Sequence, residues 1–143
     1  MKRIPAAILS LLLLAVSGVA QKPKHRIVVE MSLAGVDAWK HAMGDINDLR
    51  SAFKDDVQIE VVFLGDALAA LQKTDTELQA ALNKAAESGI VLAACQSSMR
   101  TRNVTSQDLF PFAAEVPSGL AEVVLRQEEG YSYVKLSFEP PKK

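Results

Sequence analysis

The sequence predicts an α/β domain with a mainly parallel sheet of about five strands and helices on both faces. Three observations carry this expectation. Strand-like and helix-like stretches alternate along the chain, as parallel βαβ units require. Residues 90–94 (IVLAA) are continuously apolar, the pattern of a strand covered on both sides. The chain left after an apolar leader is one domain long, with length enough for a true core.

In chain order, residues 26–31 (RIVVEM) are rich in β-branched side chains and read as the first strand. Between Gly35 and Phe53, the apolar residues Val36, Trp39, Met43, Ile46 and Leu49 recur at steps of three and four, which places them on one helical face. The same spacing makes Trp39 and Met43 core residues rather than the lining of a pocket. Residues 56–63 (DVQIEVVF) form the second strand, Gly65 and Asp66 punctuate its end, and 67–71 read as a short helix. Thr74 and Glu77 have capping-box spacing ahead of the stripe Leu78, Leu82 and Ala85. Gly89 closes that helix.

The strand 90–94 follows, and Cys95 ends it. Residues 96–102 read as a short helix or turn. Thr105 and Asp108 cap a further turn that Pro111 stops. Residues 113–116 make a short fourth strand. Ser118 starts a helix through Leu120, Val123 and Val124, closed by Gly130, and 131–138 form the last strand before a tail from Pro140.

The leader sets the expected compartment. Lys2 and Arg3 precede an apolar stretch, 4–16, built on the leucine run 11–14, and Ser17-Gly18-Val19-Ala20 follows. This is the three-part pattern of a secretory signal peptide, cleaved after Ala20. The apolar part is shorter than the ~20 residues that span a bilayer. The expected division is therefore a signal peptide, 1–20, and a periplasmic α/β domain, 21–143. With the leader's two basic residues gone, 14 basic residues face 17 acidic ones, a net charge of −3. That balance argues against a nucleic-acid partner or an anionic membrane surface.

Most catalytic motifs are missing. The sequence holds no GxGxxG after a strand, no Walker loop, no CxxC and no GxSxG. His25 and His41, with one cysteine, do not make a metal cluster, so neither a metal nor another cofactor is expected. His41 reads as a solvated helix residue. Asp55-Asp56 and Glu128-Glu129 read as solvated charges at element ends.

Cys95 is the only cysteine. An internal disulfide is thus impossible, and the thiol is buried and inert, paired between chains, or reactive. Where a strand feeds a helix, a thiol meets unpaired backbone N–H groups and the positive end of the helix dipole. Both favour thiolate, the nucleophilic form. Arg100 and Arg102 stand near enough in sequence to strengthen that field.

The stretch VLAACQSSMRTRNVTSQDLFPFAAEVPSGLAEVVLRQEEGYSYVKL, residues 91–136, carries a further signal. A strand-end cysteine is followed by Asp108-Leu109-Phe110-Pro111, then Val116-Pro117-Ser118-Gly119, then Gln127-Glu128-Glu129-Gly130-Tyr131. In this it resembles the DsrE/DsrF-like family of sulfur-relay proteins, and IEVVFLGDALAAL in the first half is similar more loosely. The chain departs from related sequences at Leu64, where they often carry histidine, and at Gln96-Ser97-Ser98, where they often carry Gly-Asn-Thr.

The resemblance implies a three-layer α/β/α fold, assembly into oligomers, and a cysteine, here Cys95, that takes sulfane sulfur as a persulfide and passes it on. The leading expectation is an exported persulfide carrier or sulfurtransferase, a homo-oligomer with a separate sulfur donor and acceptor. The alternatives are a non-catalytic binding or assembly module with Cys95 packed, and a peroxide-sensing thiol. Leu109 and Phe110 are expected to be exposed and to supply contact surface.

Overall fold

The computed structural model describes residues 22–74 and 77–140. The expected signal peptide, 1–20, lies outside the described residues, as do the last three residues of the tail. Five strands form one sheet: β1 (His25–Met31), β2 (Val57–Phe63), β3 (Val91–Cys95), β4 (Ala114–Val116) and β5 (Ser132–Lys135). Every pairing is parallel, in the order β4-β3-β2-β1-β5. Four α-helices connect them among the described residues: α1 (Val36–Phe53), α2 (Gln79–Glu87), α3 (Gln96–Thr101) and α4 (Gly119–Glu128).

Alternation along the strands decides which side chain meets which layer. Ile27, Val29 and Met31 of β1, and Val57, Ile59, Val61 and Phe63 of β2, join Trp39, Ala42, Met43 and Ile46 of α1 and Leu82 and Ala85 of α2 in one core. The intervening residues Val28, Val62 and Ala93 face the other way and pack on Val123 of α4 and on Tyr131. The result is the expected α/β/α sandwich. Trp39 is a core residue, its indole N–H donated to the Leu33 carbonyl at 2.6 Å. His41 is exposed and lies 3.7 Å from Asp45.

Several local expectations need correction. α2 begins at Gln79 with Leu78 as its cap and no side-chain cap bond, so Thr74 and Glu77 do not form its capping box. Glu77 instead pairs with Lys40 of α1 at 2.8 Å. Residues 67–71 lie in a 3₁₀ helix, Gly65–Leu71, which buries Ala67, Leu68, Ala70 and Leu71. β5 is shorter than 131–138: it starts at Ser132 because the N–H of Tyr131 bonds back to the Arg126 carbonyl at 2.9 Å and closes α4, and its pairing with β1 ends at Lys135. Leu109 and Phe110 are buried, each 3% exposed. Leu109 bridges to Gln72, and the Phe110 N–H bonds the Leu71 carbonyl. Among the described residues, the exposed large apolar side chains are Leu120, Val124 and Leu125 on α4, and Tyr133 on β5.

Candidate functional site

Cys95 closes β3 and caps α3, at the carboxyl edge of the sheet where parallel α/β folds place their sites. It shares the face of Ala93, two residues back, and so points toward α4. Pairing of Cys95 with Val116 sets β4 alongside, and from Val116 the chain needs only Pro117 and Ser118 to enter α4. Ser118 caps that helix, its hydroxyl oxygen accepting the Ala121 N–H at 3.4 Å.

Gly119, the first helical residue, carries one of the N–H groups that a helix start leaves unpaired. It donates to Cys95 Sγ at 3.1 Å. Space for a side chain here is tight. A Cβ at this position falls 3.1 Å from Cys95 Cβ and from Val62 Cγ1, and 3.4 Å from Sγ. The Val-Pro-Ser-Gly motif thus supplies a cap and a close approach to the sulfur.

A second group of donors comes from α3. The Ser98 oxygen accepts the Gly65 N–H at 2.9 Å, which ties the end of β2 to the site. Burial pushes the Cys95 thiol's pKa up. Hydrogen bonding from the Ser98 hydroxyl and from the N–H groups of Ser98, Gly119 and Ser97 outweighs it and holds the thiol below its ordinary value. The Ser97 and Ser98 N–H groups close no regular capping bond on the sulfur, whereas that of Gly119 bonds it directly.

The two arginines do not take the part expected of them. Arg100 donates to the Ser97 hydroxyl oxygen at 2.9 Å, and Arg102 pairs with Asp66 at 2.6 Å. The groups that lower the thiol's pKa are therefore neutral donors, and neither arginine is among them. Sequence reading found Cys95 but did not single out Gly119 and Ser98 as its donors. For Gly119 the signal was available: a glycine directly after a helix cap, in a stretch already matched to a motif.

The site is enclosed: Cys95 is 4% exposed. Among the described residues no group of three or more His, Cys, Asp or Glu side chains is arranged to hold a metal ion, and no helix is long and apolar enough to cross a membrane.

The family model described as DsrE/DsrF-like matches residues 13–136. Solved structures share the fold at low identity. A protein of unknown function from Methanobacterium thermoautotrophicum superposes with a TM-score of 0.74 at 23% identity, over 78% of this chain and 99% of its own. The ychN protein from E. coli gives 0.62 at 14% identity, over 80% and 98%. A conserved protein of unknown function from Bacteroides thetaiotaomicron gives 0.60 at 17%, over 82% and 99%. No curated protein matches the sequence.

Proposed function

The chain belongs to the DsrE/DsrF-like family, and from that premise we propose that it is an exported protein that carries or transfers sulfane sulfur through Cys95. The observation that carries this reading is the Gly119 N–H donated to Cys95 Sγ at 3.1 Å, in a setting whose donors lower the thiol's pKa. Such a thiolate attacks the outer sulfur of a persulfide or polysulfide. A new S–S bond forms between Cys95 and that sulfur, the donor's S–S bond to it breaks, and the donor leaves with that electron pair as a thiolate or as a polysulfide anion one sulfur shorter. An acceptor thiolate then attacks the outer sulfur and returns Cys95 to its starting state. One cysteine suffices, because donor and acceptor are other molecules.

A second reading has its own support: at 4% exposure, Cys95 fits a binding or assembly module in which the thiol is only packed. Mass spectrometry of the folded protein separates the two. Exposure to polysulfide is expected to add one sulfur, about 32 Da, that dithiothreitol removes, as attack on sulfur requires. Cys95→Ser abolishes the adduct and keeps the fold. If Cys95 resists iodoacetamide up to about pH 9 and takes no sulfur, the packed module is the correct account.

A further inference from the structure

Beneath α4 lies a buried carboxylate that the chemistry of Cys95 does not use. Glu60 sits in the middle of β2 at 3% exposure, the one buried charged residue among the described residues. It shares the face of Val62 and so points at α4. Arg126 Nε lies 2.6 Å from Glu60 Oε2 and 2.9 Å from Glu122 Oε1, and its guanidinium also holds Glu129 at 2.9 Å. Tyr131 is flanked by Arg126 and by Arg26 of β1, whose guanidinium carbons lie 5.5 and 5.3 Å from the ring centre. Arg126, Glu122, Glu129, Tyr131 and Arg26 are thus the charged and titratable groups around Glu60. Oε1 of Glu60 and Nε of Arg126 both lack a hydrogen-bond partner, so the two residues meet as an ion pair rather than through an aligned hydrogen bond.

A charge buried this way is expensive, and an apolar side chain in its place is often no less stable. The reason for keeping it is found in what else holds α4. Only Gly119 and Val123 of that helix are buried. Apolar contact is non-directional, so one valine and one glycine, with the short link from β4, hold the far end of the helix only loosely on the sheet. The Glu60–Arg126 pair adds an anchor there. Arg126 lies seven residues beyond Gly119, about two turns along the same side of the helix, so anchoring one anchors the other. The tolerance at Gly119 is small, since a slide of about 1 Å breaks a hydrogen bond.

We propose that Glu60 and Arg126 are positioning residues for the thiol: their buried pair sets α4 along the sheet and so keeps the Gly119 N–H on Cys95 Sγ. This rests on the thiolate reading of Cys95 and assigns the residues that maintain it from the middle of the sheet.

The sign of one measurement tests it. The pH profile of iodoacetamide alkylation gives the Cys95 pKa in the wild type, Glu60→Gln, Arg126→Lys and the double variant Glu60→Leu/Arg126→Met. Positioning predicts a rise of about one unit in the double variant, from loss of one charge-assisted hydrogen bond to sulfur. Arg126 is 30% exposed and also holds Glu122 and Glu129, so thermal melts are run alongside, and the rise is read in variants still folded at the assay temperature. Arg126→Lys, at a partly exposed side chain where folding is not at stake, raises the pKa in the same direction. Glu60→Gln keeps an oxygen for Arg126 and stays near the wild type.

A direct charge effect predicts a lowered value in Glu60→Gln, since removing a negative charge lowers a thiol's pKa, and little change in the double variant, which removes one charge of each sign. A lowered value in Glu60→Gln, or unchanged values in the double variant and Arg126→Lys, overturns the proposal. A wild-type Cys95 that titrates at or above the ordinary cysteine value defeats the thiolate reading itself. A low wild-type value with unresponsive variants defeats only the positioning role.

Discussion

At the scale of single residues, the thiol's surroundings divide into parts that separate substitutions can remove. Ser98→Ala deletes the hydroxyl that favours the thiolate and leaves the Gly65 N–H without its acceptor. The expected result is a rise of about one unit in the Cys95 pKa, read from alkylation rates, and a loss of about 1–3 kcal/mol of stability in a denaturant titration. Gly119→Ala acts by volume, because its methyl falls 3.1 Å from Cys95 Cβ and Val62 Cγ1. Either the helix start lifts or the sheet yields, at a cost of about 1–3 kcal/mol. The Gly119 N–H leaves the sulfur with it, so thiol reactivity at neutral pH falls. Cys95 was legible in the sequence because a strand end is a local feature. Its donor was not, because Gly119 lies 24 residues further on and only the β3–β4 register brings it back. Glu60 escaped notice for a related reason: within VQIEVVF the alternation assigns it a face, but not that α4 covers that face.

At the scale of elements, the order and kind of strands and helices followed from hydrophobic period, while their ends followed from contacts. Thr105 and Asp108 form the capping box their spacing announces, each bond closing within four residues. Thr74 and Glu77 have the same spacing and do not cap α2, since Glu77 is drawn to Lys40 on another helix. Local chemistry decides a cap only where no tertiary partner competes. α4 gives the clearest test at this scale. Burial pushes the Glu60 carboxyl's pKa up, Arg126 pulls it down, Glu122 adds to the rise, and the net direction is up. The folded chain therefore binds a proton that the unfolded chain has already released. Stability from this group is present below the unfolded value and is lost as pH rises through the folded one. Melting temperatures measured upward from about pH 4.5, near the unfolded value, should decline more steeply for the wild type than for Glu60→Gln. Parallel curves for the two proteins rule this out.

At the scale of the whole molecule, the two faces of the sheet are unequally covered: α1 and α2 bury one, while α4 spans the other. The outer side of α4 exposes Leu120 (62%), Val124 (53%) and Leu125 (52%), with Leu120 and Val124 one turn apart on one stripe. Exposed apolar side chains grouped on one helix suit a contact surface. We propose that a second copy of the chain covers it, giving the homo-oligomer that family resemblance led us to expect, with the contact on α4 rather than on Leu109 and Phe110. Light scattering at micromolar concentration is expected to give a multiple of the chain mass for the mature protein. Leu120→Asp/Val124→Asp should reduce that to one chain with the circular dichroism spectrum unchanged, because both positions face outward. Leu109→Asp makes the contrast. It places a charge at a site only 3% exposed and should cost on the order of 3 kcal/mol in stability, so its effect is read in the melting temperature rather than in the assembly state. An oligomer that survives the double aspartate variant places the interface elsewhere, and a wild-type monomer removes the proposal altogether.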